Sequence, residues 1–256
     1  MFSLSNIMLY LLSLPIVLIA LSAHETAHGY AAYKLGDPTA RNLGRLTLNP
    51  IKHIEPFGFL CMLIFRFGWA KPVPINTRYF KKPRRDMAIS AAAGPVTNVA
   101  LSFVFALLLR IQMIIMEAFF EKDIYNVYLY FSGYAVDFSA GFNFMSALTY
   151  MLYVGVVLNI SLAVFNLIPI PPFDGSRIAY IFLPVNLYFK VMRYERIIQA
   201  VVLVLLVAVP FFGDLIGSAT SGLASLILGV FGLNGDNSAS LGLNNILFYV
   251  STAFSF

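Results

Sequence analysis

Charge is scarce in this chain, and what there is of it is unevenly placed. Asp, Glu, Lys and Arg together make 11% of the 256 residues, where an ordinary soluble domain carries about a quarter. Hydrophobic residues make 59% and the mean hydropathy is +0.80, which excludes a soluble globular domain and makes the lipid bilayer the expected solvent and partner. Cysteine is nearly absent. Cys61 is the single one; it has no partner for an internal disulfide and stands in the apolar run 58–65, so a disulfide framework is excluded as well. Cations are missing after residue 196: eleven of the 17 lie between Lys34 and Arg85, and four more are Arg177, Lys190, Arg193 and Arg196. The net charge of +5 therefore marks no nucleic-acid surface, because this two-segment clustering is what the positive-inside rule produces.

Long apolar runs are what the sequence has in abundance. Residues 7–33, 88–116, 142–165 and 197–212 read as four firm transmembrane helices, and a weaker stretch, 223–233, is short for a crossing, so the count is four with room for a fifth or sixth. The first run lacks the charged start and the small-residue cleavage site of a removable signal, so it is expected to stay as a helix. The expected fold is thus an all-α, multi-pass membrane protein. Placing both basic segments, 34–86 and 166–196, in the cytoplasm puts the N-terminus and the acidic segment 117–137 outside. Between the first and second spans, Leu43, Leu46 and Leu48 among polar neighbours, followed by the aromatic-rich run 59–67, suggest a small sheet or hairpin at the membrane surface, with an edge able to hold an extended substrate. Residues 1–217 form the expected core and 218–256 a Gly-, Ser- and Asn-rich tail. No feature of the sequence sets an oligomeric state.

Histidine is rarer than cation or acid, yet two of the three histidines flank a glutamate in His24-Glu25-Thr26-Ala27-His28, inside the first run. Fewer than about one chain in a thousand of this composition would carry such an HExxH by chance. Positions i and i+4 of a helix stack on one face, so His24 and His28 offer two imidazoles to one metal, with Glu25 beside the bound water as general base. Ionisable groups inside a span are costly and mark function. A catalytic Zn²⁺, one per chain, needs a third protein ligand. Asp174 is the best candidate: it follows the third run in Asn166-Leu167-Ile168-Pro169-Ile170-Pro171-Pro172-Phe173-Asp174-Gly175, where prolines stop the helix, and the topology returns this loop to the same end as His28. Asn98 and Asn166 are amides in or at the end of spans that could donate to an oxyanion, orient substrate, or join helices. His53 could be a spare metal ligand, polarise the oxyanion or serve a surface or structural role, and Gly94 with Pro95 allows close helix packing and a local kink.

These residues resemble the site-two proteases, intramembrane zinc metalloproteases. HETAH at 24–28 is similar to the family's HExxH, Asn166-x-x-Pro169 leading to Phe173-Asp174-Gly175 resembles its second motif, and Gly94-Pro95-Val96-Thr97-Asn98 resembles its Gly-rich helical stretch. The segments Asn49 to Gly58 and Gly68 to Pro74 look like those of short prokaryotic members, and the likeness runs over residues 7–180. It departs from the family in reading Phe-Asp-Gly for the commoner Leu-Asp-Gly, and there is no room for an inserted PDZ domain or a C-terminal CBS pair. The resemblance implies zinc ligation by His24, His28 and Asp174, catalysis by Glu25, cleavage of transmembrane protein substrates, and residence in a prokaryotic cell membrane with the site near the cytoplasmic face. The rival expectation is a cation transporter or metal-binding scaffold using the same cluster, which would need ligands on both sides of the midplane. The outer halves of the spans have almost none.

Overall fold

The computed structural model describes residues 4–65, 68–119, 144–184 and 210–233, with scattered residues between 187 and 205. Its helices are α1 (Leu4–Lys34), α2 (Thr39–Asn42), α3 (Pro56–Phe65), α4 (Pro83–Phe119), α5 (Phe144–Asn166), α6 (Asp174–Ala179) and α7 (Pro210–Val230). Among the described residues, four helices are long and apolar enough to cross a membrane: Leu9–Lys34, Pro83–Met116, Ala147–Asn166 and Gly213–Val230. The first three match expected spans. The expected span 197–212 is only partly described, and the acidic segment 117–137 lies largely outside the described residues. The fourth crossing-length helix is α7, which takes up most of the weak candidate 223–233 and runs through residue 217, where the core was expected to end.

The small sheet or hairpin expected between the first two spans is not there. Among the described residues no strand occurs, and one isolated antiparallel bridge, Ile54 with Ala70, is the nearest thing to a ladder. Residues 56–65 form α3 instead. Local chemistry explains the outcome. Pro56 suits a first helical position, and Glu55 acts as its cap, with Oε2 accepting from the Gly58 N–H at 2.5 Å. A ten-residue apolar run has no alternation to force a strand, and Leu and Met favour a helix. The segment carrying Leu43, Leu46 and Leu48 is turn and irregular chain, with Leu43 and Leu48 exposed.

The start of α4 is equally legible. Pro83 opens it, Asp86 Oδ2 accepts from the Lys82 N–H at 2.9 Å, and the negative charge suits the positive end of the helix dipole. At 37 residues the helix is about 55 Å long, well beyond a ~30 Å hydrocarbon core.

Two compact units make up the chain. One comprises 18–99 and 162–216; the other comprises 1–17, 100–161 and 217–255. The first has a core of small residues, among them Ala20, Ala32, Ala40, Ala88, Ala91 and Ala163, which lets helix backbones approach closely. The second is filled by large side chains such as Leu109, Met116, Tyr153, Ile160 and Leu228. All the chemistry predicted from the sequence falls in the first unit.

Candidate metal centre

Helix geometry brings His24 and His28 to one face of α1, as an i, i+4 pair should be. Their Nε2 atoms lie 2.9 Å apart. Asp174 Oδ2 lies 3.1 Å from each of them, and the three groups are those among the described residues whose ligand atoms gather within 4.8 Å. The carboxylate arrives by a longer route. After α5 ends at Asn166, the Phe173 ring packs on Phe165, centroids 4.4 Å apart, and folds the proline-rich loop back so that Asp174 begins α6. Gly175 makes this turn possible: a Cβ there would stand 2.2 Å from the Leu167 carbonyl oxygen.

Helix α4 supplies the seat. His24 Nδ1–H donates to Asn98 Oδ1 at 2.6 Å, and His28 Nδ1–H donates to the Ser90 carbonyl at 2.8 Å. Between them stands Gly94, where a Cβ would come within 2.6 Å of both imidazoles. Ser90, Gly94 and Asn98 are spaced by four, so one stripe of α4 orients both rings. With both Nδ1 atoms carrying protons, each Nε2 turns a lone pair toward the other and toward a carboxylate oxygen. Three acceptors this close repel unless a cation sits among them, and two imidazoles with a carboxylate are a donor set that suits zinc. The residues therefore fit the metal that the motif implies.

Glu25 is half-buried beside the pair, and its Oε2 accepts from the Val73 N–H at 2.7 Å. Val73 lies in Lys71-Pro72-Val73-Pro74, and since proline has no N–H, Val73 is the one donor among the three residues from Pro72 to Pro74. This strap is pinned at both ends. At one end the Lys71 N–H donates to the His53 carbonyl and Arg45 donates to the Lys71 carbonyl; at the other the Asn76 N–H donates to buried Asp37 at 2.6 Å.

The remaining expected site residues are placed differently. Asn98 is buried against His24 as a ring-orienting acceptor. Asn166 donates from Nδ2 to the Leu162 carbonyl of its own helix, 2.9 Å, and is not gathered with the metal cluster. His53 is buried, donates from Nε2 to the Thr47 carbonyl at 2.8 Å and is also outside that cluster. The Ser90 carbonyl and the Val73 N–H had no sequence signal, because every residue carries such groups. The Pro-Val-Pro pattern was the one available hint of a singled-out donor.

Comparison with known proteins agrees with the geometry. The model described as Peptidase family M50 matches residues 12–209. YwhC of Bacillus subtilis is 39% identical over 191 residues, which is 75% of this chain and 78% of that protein. Rip2 of Mycolicibacterium smegmatis is 28% identical over 178 residues, 67% of this chain and 57% of its own. MJ0611 of Methanocaldococcus jannaschii is 31% identical over 122 residues, 47% of this chain and 48% of its own. All three carry a provisional description as zinc metalloproteases. No solved structure matches the chain significantly.

Proposed function

The chain belongs to peptidase family M50 as a multi-pass zinc metalloprotease, and from that premise we propose that it hydrolyses peptide bonds in or near transmembrane segments of its substrates, with His24, His28 and Asp174 holding the zinc and Glu25 as base. The convergence of two Nε2 lone pairs and one carboxylate, with both Nδ1 atoms already committed, is the observation that carries this reading. When bound, zinc supplies Lewis-acid polarisation of the scissile carbonyl and a more acidic water. The protein does the rest. Val73 holds Glu25 Oε2, which leaves Oε1 to take the proton of the attacking water and pass it to the leaving nitrogen. Asn98 and the Ser90 carbonyl keep the imidazoles from rotating during turnover. Asn166 and His53 serve the substrate rather than the metal.

A substrate helix hides its carbonyls in its own hydrogen bonds, so cleavage requires local unwinding, and segments weakened by Gly, Pro or Asn are favoured. Glu25 stands nine residues before the end of α1 at Lys34, in a chain whose cations cluster just beyond that end. This supports a site near the cytoplasmic face of a prokaryotic cell membrane. Labels at Lys82 and Lys122 should then react from opposite sides of the membrane; reaction from one side would sink that topology. The function itself is tested by cleavage of a model transmembrane substrate in detergent, blocked by a chelator and restored by zinc. Metal uptake across vesicles without any cleavage would replace the peptidase with the cation transporter.

A further inference from the structure

On the endopeptidase reading above, we propose that Asp37 and Arg45 are positioning residues for the general base: they clamp the strap, residues 71–76, so that its Val73 N–H holds Glu25 in place to take a proton. Both are buried and of opposite charge, yet among the described residues neither stands in an ion pair. A buried charge without a counter-ion is costly unless hydrogen bonds satisfy it. Each spends its charge on the backbone of the same strap. The Arg45 guanidinium donates from Nη2 to the Lys71 carbonyl at 2.7 Å, and Asp37 Oδ2 accepts from the Asn76 N–H at 2.6 Å. Charge-assisted bonds of this kind are about twice as strong as neutral ones. Asp37 Oδ1 is committed to its own turn, accepting from the Thr39 N–H at 2.9 Å and from the Thr39 hydroxyl at 2.5 Å, so the carboxylate is fixed from both sides. Arg45 reaches the strap although its Nε is left buried without a partner, a cost that needs a compensating role.

The sequence builds both anchors in the same way. Helices α1 and α2 are each followed by a glycine of positive φ, Gly36 at 110° and Gly44 at 63°. The residue after each glycine donates its N–H back across the turn, Asp37 to the Ala32 carbonyl and Arg45 to the Ala40 carbonyl, both at 2.9 Å. This left-handed cap reverses the chain sharply, and at both ends of α2 it leaves a charged residue buried. The clip so formed meets α1 again at Gly29, one turn beyond Glu25. A Cβ there would stand 2.8 Å from Leu46, 2.8 Å from Val73 and 3.0 Å from Ala40. Base, strap and clip therefore meet along one face of α1. The strap needs such anchoring. With no N–H at Pro72 or Pro74 it cannot be held by a sheet ladder, so its position rests on its ends. A reacting group displaced by about 1 Å can cost about 10²-fold in rate, so the stiffness of the strap has a catalytic consequence.

The test uses the zinc-loaded full chain in detergent with a model transmembrane substrate. Arg45→Met should lower kcat by about 10-fold, with KM and zinc content unchanged, and Arg45→Lys, which keeps a cation and a donor, should recover most of the loss. In Val73→Pro, where the N–H that holds Glu25 is already gone, Arg45→Met should add less than about 2-fold, because residues acting through one group are not additive. Hydrogen exchange at the Val73 amide, followed without substrate, should be about 10-fold faster in Arg45→Met. Asp37→Asn, isosteric but uncharged, should show the same pattern at about 3-fold and keeps the test decisive if Arg45→Met does not fold. The proposal is overturned if kcat is unaltered in both variants, if their losses multiply fully with that of Val73→Pro, or if Val73 exchange does not change. Loss of zinc from both variants would overturn it too, by making the clip part of the metal centre or of the fold itself. Absence of all chelator-sensitive cleavage by the unsubstituted chain would overturn the endopeptidase reading instead, and the Val73 exchange series would still judge whether the clip holds the strap.

Discussion

In the unit built from 18–99 and 162–216, buried polar groups reach across long stretches of chain. His24 meets Asn98 and Asp174, 74 and 150 residues away, His28 meets Ser90 at 62, Glu25 meets Val73 at 48, and Asp37 meets Asn76 at 39. In the unit built from 1–17, 100–161 and 217–255, many stay within a turn. Ser13 bonds Tyr10, Thr149 bonds Met145 and Asn159 bonds Gly155, each three or four residues back, although Gln112 does reach Thr149. Tyr153, fully buried, leaves its hydroxyl unpaired. The difference is one of purpose. A bond back to the same helix satisfies a polar group in an apolar medium without fixing anything else, whereas a bond between distant segments sets their register. In the first unit the distant bonds hold the geometry of the site; in the second the local bonds stand beside a few distant ones, Gln112 with Thr149 and Ser161 with Thr220.

That contrast predicts how substitutions divide. The largest effect should come from Asp174→Ala or His28→Ala, each removing one of three ligands: zinc affinity should fall by more than about 100-fold, beyond what loss of an outer partner costs, and cleavage should vanish. Zinc per purified chain at low free metal measures it; full occupancy in Asp174→Ala would move the search for a third ligand to Glu55 or His53. Glu25→Gln should keep stoichiometric zinc and lose about 10² to 10⁴-fold in kcat, and an active Glu25→Gln would end the peptidase mechanism. Asn98→Ala should lower zinc affinity by about 10 to 100-fold, because His24 loses the acceptor that fixes its tautomer; competition with a chromophoric chelator reads this directly. Val73→Pro deletes one N–H and should lower kcat about 10-fold with zinc unchanged, while Val73→Ala, which keeps the donor, should not. The smallest effect belongs to the other unit. Tyr153→Phe removes a hydroxyl that pairs with nothing, so thermal stability should hold or rise by up to about 1 kcal/mol, with zinc and kcat unaltered. A loss of zinc in that variant would break the division between the units.

How far each feature could be read in advance follows from the range of the interactions behind it. Three of the spans and the pairing of His24 with His28 were legible, because hydrophobic run length and the 3.6-residue helical period act over a few turns and depend on side chains alone. The nature of 56–65 was misread for a local reason as well: a short apolar run looks alike as strand or helix, and the deciding features were Pro56 and the Glu55 cap rather than the run itself. Asp174 could be nominated by its prolines and glycine, but its arrival 3.1 Å from both histidines depends on the Phe165–Phe173 contact and the close approach at Gly175. Asn98 was visible as a polar residue on a span; that its amide oxygen would meet the His24 ring was not, since which ring an amide meets depends on packing. The Ser90 carbonyl and the Val73 N–H lay wholly beyond reading. The sequence by itself determined which residue types could perform the chemistry and which helix face carries them; tertiary structure alone decided which backbone groups steady them, because backbone donors and acceptors recur at nearly every residue and only packing selects among them.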